Sequence, residues 1–359
     1  MSERIFMTDY VYALPGLPGQ YEIAKAMDGH EAVFDNNSES PFFGKLDFPE
    51  ELLALIRKQD LKSMREDALA AGICSWLLMN RLDIDKDELI SLPLFVATGV
   101  VIEKLFARKP KVLKYFNQAL MMESTVDKNN RLSRILPPLL ALETLTNAAE
   151  TYAAQYGGMA GENTTFGGCS LGGFYSLKEG FDQIISGNIG RAVVGAVNLS
   201  GINSYRTFSP FFQSVDHWHE SPCAVFMILE SESNLKARAG LNAFELTKLE
   251  AIPTIPSLFE PQEKTFRDSI LNSSSSSSLV FSGAFTDKAY ELDYRACTAT
   301  SSNSFSWYPS YGNLGSASVL MNLLGATHFI DTKKAETVEC LDRDPYGRIS
   351  KVRLKKYQL

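Results

Sequence analysis

Residues 157–198 constrain the fold more than any other stretch: GGMAGENTTFGGCSLGGFYSLKEGFDQIISGNIGRAVVGAVN. A polar, glycine-rich turn leads into Cys169-Ser170. Leu171, Phe174, Leu177, Phe181, Ile184 and Ile185 follow at spacings of three and four, which predicts a helix with one apolar face. Gly187 stands where a left-handed residue would stop that helix. Arg191–Asn198 is then a short apolar run bounded by Gly and Asn, suited to a strand buried on both faces. The pattern places a small, nucleophile-type side chain at the N-terminus of a buried helix. There, unpaired N–H groups and the positive end of the helix dipole face whatever binds.

Two kinds of enzyme put a nucleophile on such a turn. Gly168-Cys169-Ser170-Leu171-Gly172 fits the G-x-S-x-G elbow of serine hydrolases letter for letter. That elbow normally follows several strands and a glycine-rich oxyanion loop. Here Pro49 to Tyr156 reads mostly as helix, around one convincing strand at Ser91–Ile102. Glu162–Phe166, just before the elbow, is polar for a central parallel strand. The order strand, turn, buried helix, strand occurs at 91–198 and again, compressed, at 279–354. In that repeat the helix opening at Ser170 corresponds to one opening at Asn313. A hydrolase would not show this duplication.

The same stretch resembles the β-ketoacyl synthase branch of the thiolase fold. The resemblance runs without a gap from Asn147, through Gly158 and Gly161, to Gly187 and Val194-Gly195-Ala196-Val197-Asn198, and extends diffusely over residues 1–325. It implies an α/β, thiolase-like fold: two pseudo-duplicated halves, residues 1–230 and a shortened 231–359, in α-β-α-β-α layers. In active relatives a cysteine carries the acyl chain as a thioester. Two histidines then stabilise the enolate formed when the malonyl group loses carbon dioxide. A thiolate is nucleophilic near neutral pH, whereas a hydroxyl needs an adjacent base. An enolate needs preplaced donors in a dry site.

Aligned this way, each catalytic element is replaced. Ser170 stands at the cysteine position, with Cys169 beside it. Ser282 stands at the first histidine, in Val280-Phe281-Ser282-Gly283-Ala284, with Asp287 at a later family aspartate. Asn313 stands at the second histidine and Tyr308 at the preceding lysine, in Tyr308–Gly315. The Gly-Phe-Gly-Gly loop near the family's C-terminus has no counterpart; Asp344-Pro-Tyr-Gly347 reads as a hairpin turn. Four losses together imply a chain-length factor: a non-catalytic subunit that pairs with an active ketosynthase and shapes the tunnel for the growing polyketide or fatty-acyl chain. The aryl polyene type is the nearest match. The alternative is a Ser170-dependent acyltransferase or hydrolase, or a one-residue shift that makes Cys169 the nucleophile.

The resemblance further implies a heterodimer with a catalytic β-ketoacyl synthase subunit, served by an acyl carrier protein. It places Phe116, Leu120, Met121 and Leu140 along the tunnel. It puts Val193, Val194 and Val197 at an interface where the strand after the nucleophile helix pairs edge to edge with the other subunit.

Composition bounds the class of partner. The chain has 359 residues, 45% hydrophobic, with a net charge of −7 and no basic run, which speaks against nucleic acid and against an anionic membrane. No apolar run approaches the length of a membrane span or a signal-peptide core. The five cysteines are widely spaced, with no C-x-x-C pair, as in a reducing cytoplasm without disulfide or zinc frame. His217 and His219 flank Trp218 with no third ligand nearby, so no metal site and no cofactor are expected, and the segment reads as surface loop. His328 reads as a helix-end residue. Further strands are expected at Arg4–Leu14, Ser221–Leu229, Asn242–Pro253 and Leu279–Ala284, with a closing hairpin at Thr337–Lys356. Helices are expected at Ile23–Met27, Leu61–Asn80, Glu103–Met122, Ile135–Tyr156 and Leu314–Leu324. The run Ser273–Ser278 reads as a surface loop.

Overall fold

In the computed structural model, the residues described are 3–27, 42–43, 45–82, 84–99, 121, 147–199, 219–237, 243–252, 278–282, 287–300, 303–332, 335–344 and 348–357. The strands are β1 (Ile5–Leu14), β2 (Leu17–Gln20), β3 (Phe42–Phe43), β4 (Leu94–Thr98), β5 (Asn163–Gly167), β6 (Arg191–Asn198), β7 (His219–Glu220), β8 (Cys223–Ser231), β9 (Phe244–Ile252), β10 (Ser278–Ser282), β11 (Asn303–Ser306), β12 (Thr337–Arg343) and β13 (Ile349–Lys356). The principal helices are α1 (Glu66–Met79), α2 (Ala148–Gly157), α3 (Ser170–Ile185), α4 (Asp287–Thr300) and α5 (Ser318–Asp331).

Strand order exposes a duplication. One half runs β5-β4-β6-β8-β1 and the other β11-β10-β12-β13-β9. In each, three parallel strands are followed by two antiparallel ones. Each half places a helix between its first two parallel strands in the chain (α2 and α4) and another before the third (α3 and α5). β1 and β9 pair over Ile5–Met7 and join the halves.

Alternating side chains sort into layers. Phe95, Val194, Ala196 and Val225 from one half, and Val280, Val338, Cys340 and Val352 from the other, face a shared core with Leu171, Phe174 and Leu177 of α3 and Leu320, Leu323 and Leu324 of α5. The opposite face of the first half (Leu94, Val96, Val193, Val197, Phe226) packs on α1 and α2. The opposite face of the second (Leu279, Phe281, Leu341) packs on α4 through Cys297. The result is α-β-α-β-α, the thiolase fold.

The central stretch forms as its sequence predicts. Gly187, at φ 74°, ends α3: its N–H donates to Ile184 and that of Asn188 to Gln183, a Schellman closure. Every residue of β6 is buried.

Four expectations change. First, β6 is not an edge, because β4 and β8 flank it on both sides. Val193, Val194 and Val197 are at most 1% exposed within the single chain, so they pack its own sheet rather than another subunit. Second, the polar segment before Ser170 is a strand after all. Among the described residues β5 pairs only with β4 and so lies at the edge of its half, where half-exposed polar side chains belong. Third, α4 was not expected from the sequence, and Asp287 opens it. Fourth, the helix expected at Leu61–Asn80 starts at Glu66, after an extended Arg65 that pairs with Asp67, and the one expected at Leu314–Leu324 runs from Ser318 to Asp331 behind a 3-10 turn at Gly315–Ala317. Ser278, last of the serine run, is the buried first residue of β10. Helix Glu103–Met122 (Met121 excepted), the start of Ile135–Tyr156 and Ser273–Ser277 lie outside the described residues.

Candidate functional site

The parallel strands β4, β6, β10 and β12 end in polar residues: Thr98, Asn198, Ser282 and Asp342-Arg343. In open α/β sheets such carboxyl ends are where ligands bind. Here α3 begins, Cys169 serving as its N-cap with an accepting carbonyl 2.8 Å from Gly172 N. Ser170, the first helical residue, is 1% exposed, and its Oγ has no hydrogen-bond partner among the described residues. A serine becomes a nucleophile when a base takes its proton, and none of the described residues does so.

Cys169 is buried as well. Burial pushes its thiol up to about 12, with Asp344 the next largest influence in the same direction, then Glu220; Arg348 acts against them, and Asp342 adds to the rise. This setting is the reverse of the electropositive environment that yields a reactive thiolate.

Asn313 is buried against both halves. Its N–H donates to the carbonyl of His219 (2.9 Å), its own carbonyl accepts from Ser221 N (3.1 Å), and its Oδ1 accepts from Gly315 N. Asn198 Nδ2 reaches Glu220 Oε1 and the Ser221 carbonyl, each at 3.3 Å. Ser316 Oγ donates to the Val197 carbonyl at 2.6 Å, tying the turn before α5 to the end of β6. Ser282 closes β10 in register with Asp342, which accepts from Ser318 Oγ at the start of α5. Cys169 and Ser170 follow β5, Ser282 ends β10, and Asn313 bridges to Glu220 of β7.

His219 is not on a surface loop. It lies 6% exposed in β7, paired with Phe42 of β3 and edge-on to Tyr308 at 6.3 Å between ring centres. Tyr308 in turn stacks on Tyr290 of α4 at 5.1 Å. His328 lies in the last turn of α5, its carbonyl accepting from Thr332 N. No group of three or more metal-binding side chains occurs among the described residues. Of the expected tunnel residues, Phe116, Leu120 and Leu140 lie outside the described residues, and Met121 is 88% exposed. Sequence reasoning missed Asn198, Glu220, Ser316, Asp342, Asp344 and Arg348. Asn198 and Asp342 sit where an apolar run turns polar, which was the available signal.

The fold and these strand ends define a protein of the ketosynthase-like thiolase fold. No protein-family profile and no curated protein matches the sequence. Solved structures do. A type II polyketide synthase ketosynthase in complex with its acyl-carrier protein (AntDE:AntF) superposes with a TM-score of 0.73 at 16% identity, over 99% of this chain and 100% of that one. The ishigamide ketosynthase/chain length factor gives 0.73 at 14% identity, and a β-ketoacyl synthase from Burkholderia phymatum STM815 gives 0.73 at 13%, each covering 100% of both chains. Among the described residues, no helix is long and apolar enough to cross a membrane.

Proposed function

We propose that this chain is a non-catalytic chain-length factor. It pairs with an active β-ketoacyl synthase, receives no acyl group itself, and walls part of the tunnel into which an acyl-carrier-protein-bound chain grows. The observation that carries this reading is the content of the strand-end site. By the sequence resemblance, Ser170, Ser282 and Asn313 stand at the positions of the acyl-carrying cysteine and the two enolate-binding histidines, and Ser170 Oγ meets no base among the described residues. The adjacent Cys169 is held protonated, which counts against a shifted nucleophile. The lack of a base at Ser170 likewise counts against the elbow of a hydrolase or acyltransferase.

The partner-facing edge is β5. Leu94 N donates to the Glu162 carbonyl and Gly168 N to the Thr98 carbonyl. In a parallel ladder the bonded residues alternate, so the N–H and C=O groups of Asn163, Thr165 and Gly167 point outward. A second five-residue strand laid along this edge satisfies them and continues the sheet into the partner. An aryl polyene pathway is the proposed setting, resting on sequence resemblance.

The test is incubation of the purified chain with acyl- and malonyl-carrier protein. The reading predicts no ketoacyl product and no acyl adduct at residues 169–170 by mass spectrometry. A stable adduct at Ser170 would overturn it.

A further inference from the structure

α3 is packed on three sides and open on the fourth. Toward the sheet, a Cβ on Gly172 would lie 3.5 Å from Ala97 and 3.7 Å from the Phe166 carbonyl oxygen, and one on Gly180 would lie 2.8 Å from Val194. Ser176 Oγ on the same side donates to the Gly195 carbonyl at 3.2 Å. Gly173 meets the turn before α5, and Phe174, Leu177 and Ile184 enter the core shared with the second half. At about 100° per residue, Tyr175, Lys178, Asp182 and Ile185 form the remaining arc, on the side away from Gly173 and so away from α5. Tyr175 is 41% and Ile185 44% exposed, and Lys178 pairs with Asp182 at 2.6 Å between them. α3 packs on β5 and α5 on β8, so the side away from α5 is the side of the β5 edge. Ile90, 42% exposed, lies near the start of the same edge, its carbonyl accepting from Ala160 N at 2.8 Å. Three of the six large apolar side chains exposed among the described residues thus flank β5.

We propose that this arc of α3 is a second strip of contact with the ketosynthase that pairs along β5. The inference rests on the heterodimer reading and adds a surface to it. Its ground is size. Five strand residues span about 17 Å, and with about 10 Å of depth the edge offers on the order of 200 Å² of facing surface. A stable complex buries about 800 Å² on each partner, so the ketosynthase must reach past the strand. From Tyr175 to Ile185 the helix advances about 15 Å, nearly the length of β5, and the arc lies beside it. Tyr175 supplies a ring of the kind enriched in interface cores, and the Lys178–Asp182 pair sets a polar contact between the two apolar ends.

The test uses the full-length chain co-expressed with an active ketosynthase from the same organism. All five native cysteines are buried, so Asp182→Cys places one exposed thiol on the arc for maleimide labelling, read by mass spectrometry. The complex should slow labelling at residue 182 at least tenfold relative to the isolated chain. Lys236→Cys, exposed on the helix Glu232–Ala237, should label equally fast in both. Tyr175→Ala combined with Ile185→Ala should weaken the complex at least tenfold without lowering the melting temperature. Tyr294→Ala, an equally exposed ring on α4, should leave binding unchanged. Labelling at residue 182 that the ketosynthase does not slow, or an alanine pair that binds as wild type, would overturn the proposal; if Thr165→Pro still abolishes the complex, the heterodimer reading stands without it. Protection of residue 182 in an isolated chain that scatters light as a dimer would assign the arc to a second copy and overturn the proposal too. A wild-type chain that forms no complex would end the heterodimer reading itself, and the proposal with it.

Discussion

Gly173→Ala should unfold this protein more easily, against the usual sign for such a change. Gly173 is the fourth residue of α3, where replacing glycine by alanine ordinarily gains about 1 kcal/mol of helix stability. Here a Cβ would lie 2.2 Å from the Ser316 carbonyl oxygen. Contacts of this kind settle at about 3.3 Å or more, so the helix and the turn must part by roughly 1 Å. Both sides are backbone, so no rotamer can relieve the clash. The turn is also anchored, because Ser316 Oγ donates to the Val197 carbonyl at 2.6 Å. Overpacking of a core costs about 1–3 kcal/mol, and stretching that hydrogen bond forfeits about 1 more. Set against the helix gain, the expected net loss is about 1–3 kcal/mol. With an unfolding entropy of about 2.1 cal/mol/K per residue, that lowers the melting temperature by roughly 1–4 °C. The assay is thermal unfolding by circular dichroism. Gly168→Ala is the control, because its nearest added contact is an ordinary 3.6 Å. A Gly173→Ala protein that melts at or above the wild-type temperature would refute the close approach of α3 to the turn before α5.

Two further outcomes follow from buried charge and buried thiols. Arg191→Leu leaves Glu230, which is 0% exposed, without the guanidinium that reaches it from β6, and should cost about 3–5 kcal/mol in urea unfolding; a loss under 1 kcal/mol would contradict the pairing. All five cysteines are buried. Burial pushes Cys74 and Cys169 from 9.0 up to about 12, and Cys223, Cys297 and Cys340 upward as well. Unfolded thiols ionise at the lower value and folded ones do not, so their contribution to stability is complete below pH 9 and fades as pH rises toward the folded values. The melting temperature should fall steadily above pH 9, and a thiol reagent should label the cysteines rapidly only in denaturant.

Legibility in the sequence followed local pattern. α3 could be read because its apolar side chains recur at helical spacing and Gly187 marks its end, and β6 because an unbroken apolar run suits only a strand covered on both faces. The position of β6 in the sheet could not be read: strand order is set by pairings such as Val193 with Ile228, far apart in sequence, and nothing within Arg191–Asn198 says that both edges are used. β5 was discounted because Asn163, Thr164 and Thr165 are polar, yet an edge strand buries only part of its surface. α4 escaped because DKAYELDYRACTAT offers few apolar residues to one face; Tyr290, Asp293 and Cys297, at spacings of three and four, were the available signal. His219 looked exposed in the polar string HWHE and is buried because its backbone is tied to Asn313. At the site, Ser170, Ser282 and Asn313 were singled out by resemblance alone, and their match to the ketosynthase positions belongs to the proposal. The burial of Asp344 was not legible, since Asp344-Pro-Tyr-Gly347 reads in the sequence only as a hairpin turn.

The central claim is that this chain works through the free edge of β5 as the silent partner of an active ketosynthase. Its most direct test is co-expression with an active ketosynthase from the same organism, comparing wild type with Thr165→Pro by size-exclusion chromatography and light scattering. Proline removes an outward N–H and is tolerated on an edge strand, so the variant should fold with a nearly unchanged melting temperature. The account predicts a one-to-one complex for wild type and separate subunits for Thr165→Pro. A wild-type chain that stays apart from the ketosynthase and leaves its product length unchanged, or a complex that survives Thr165→Pro intact, would contradict it.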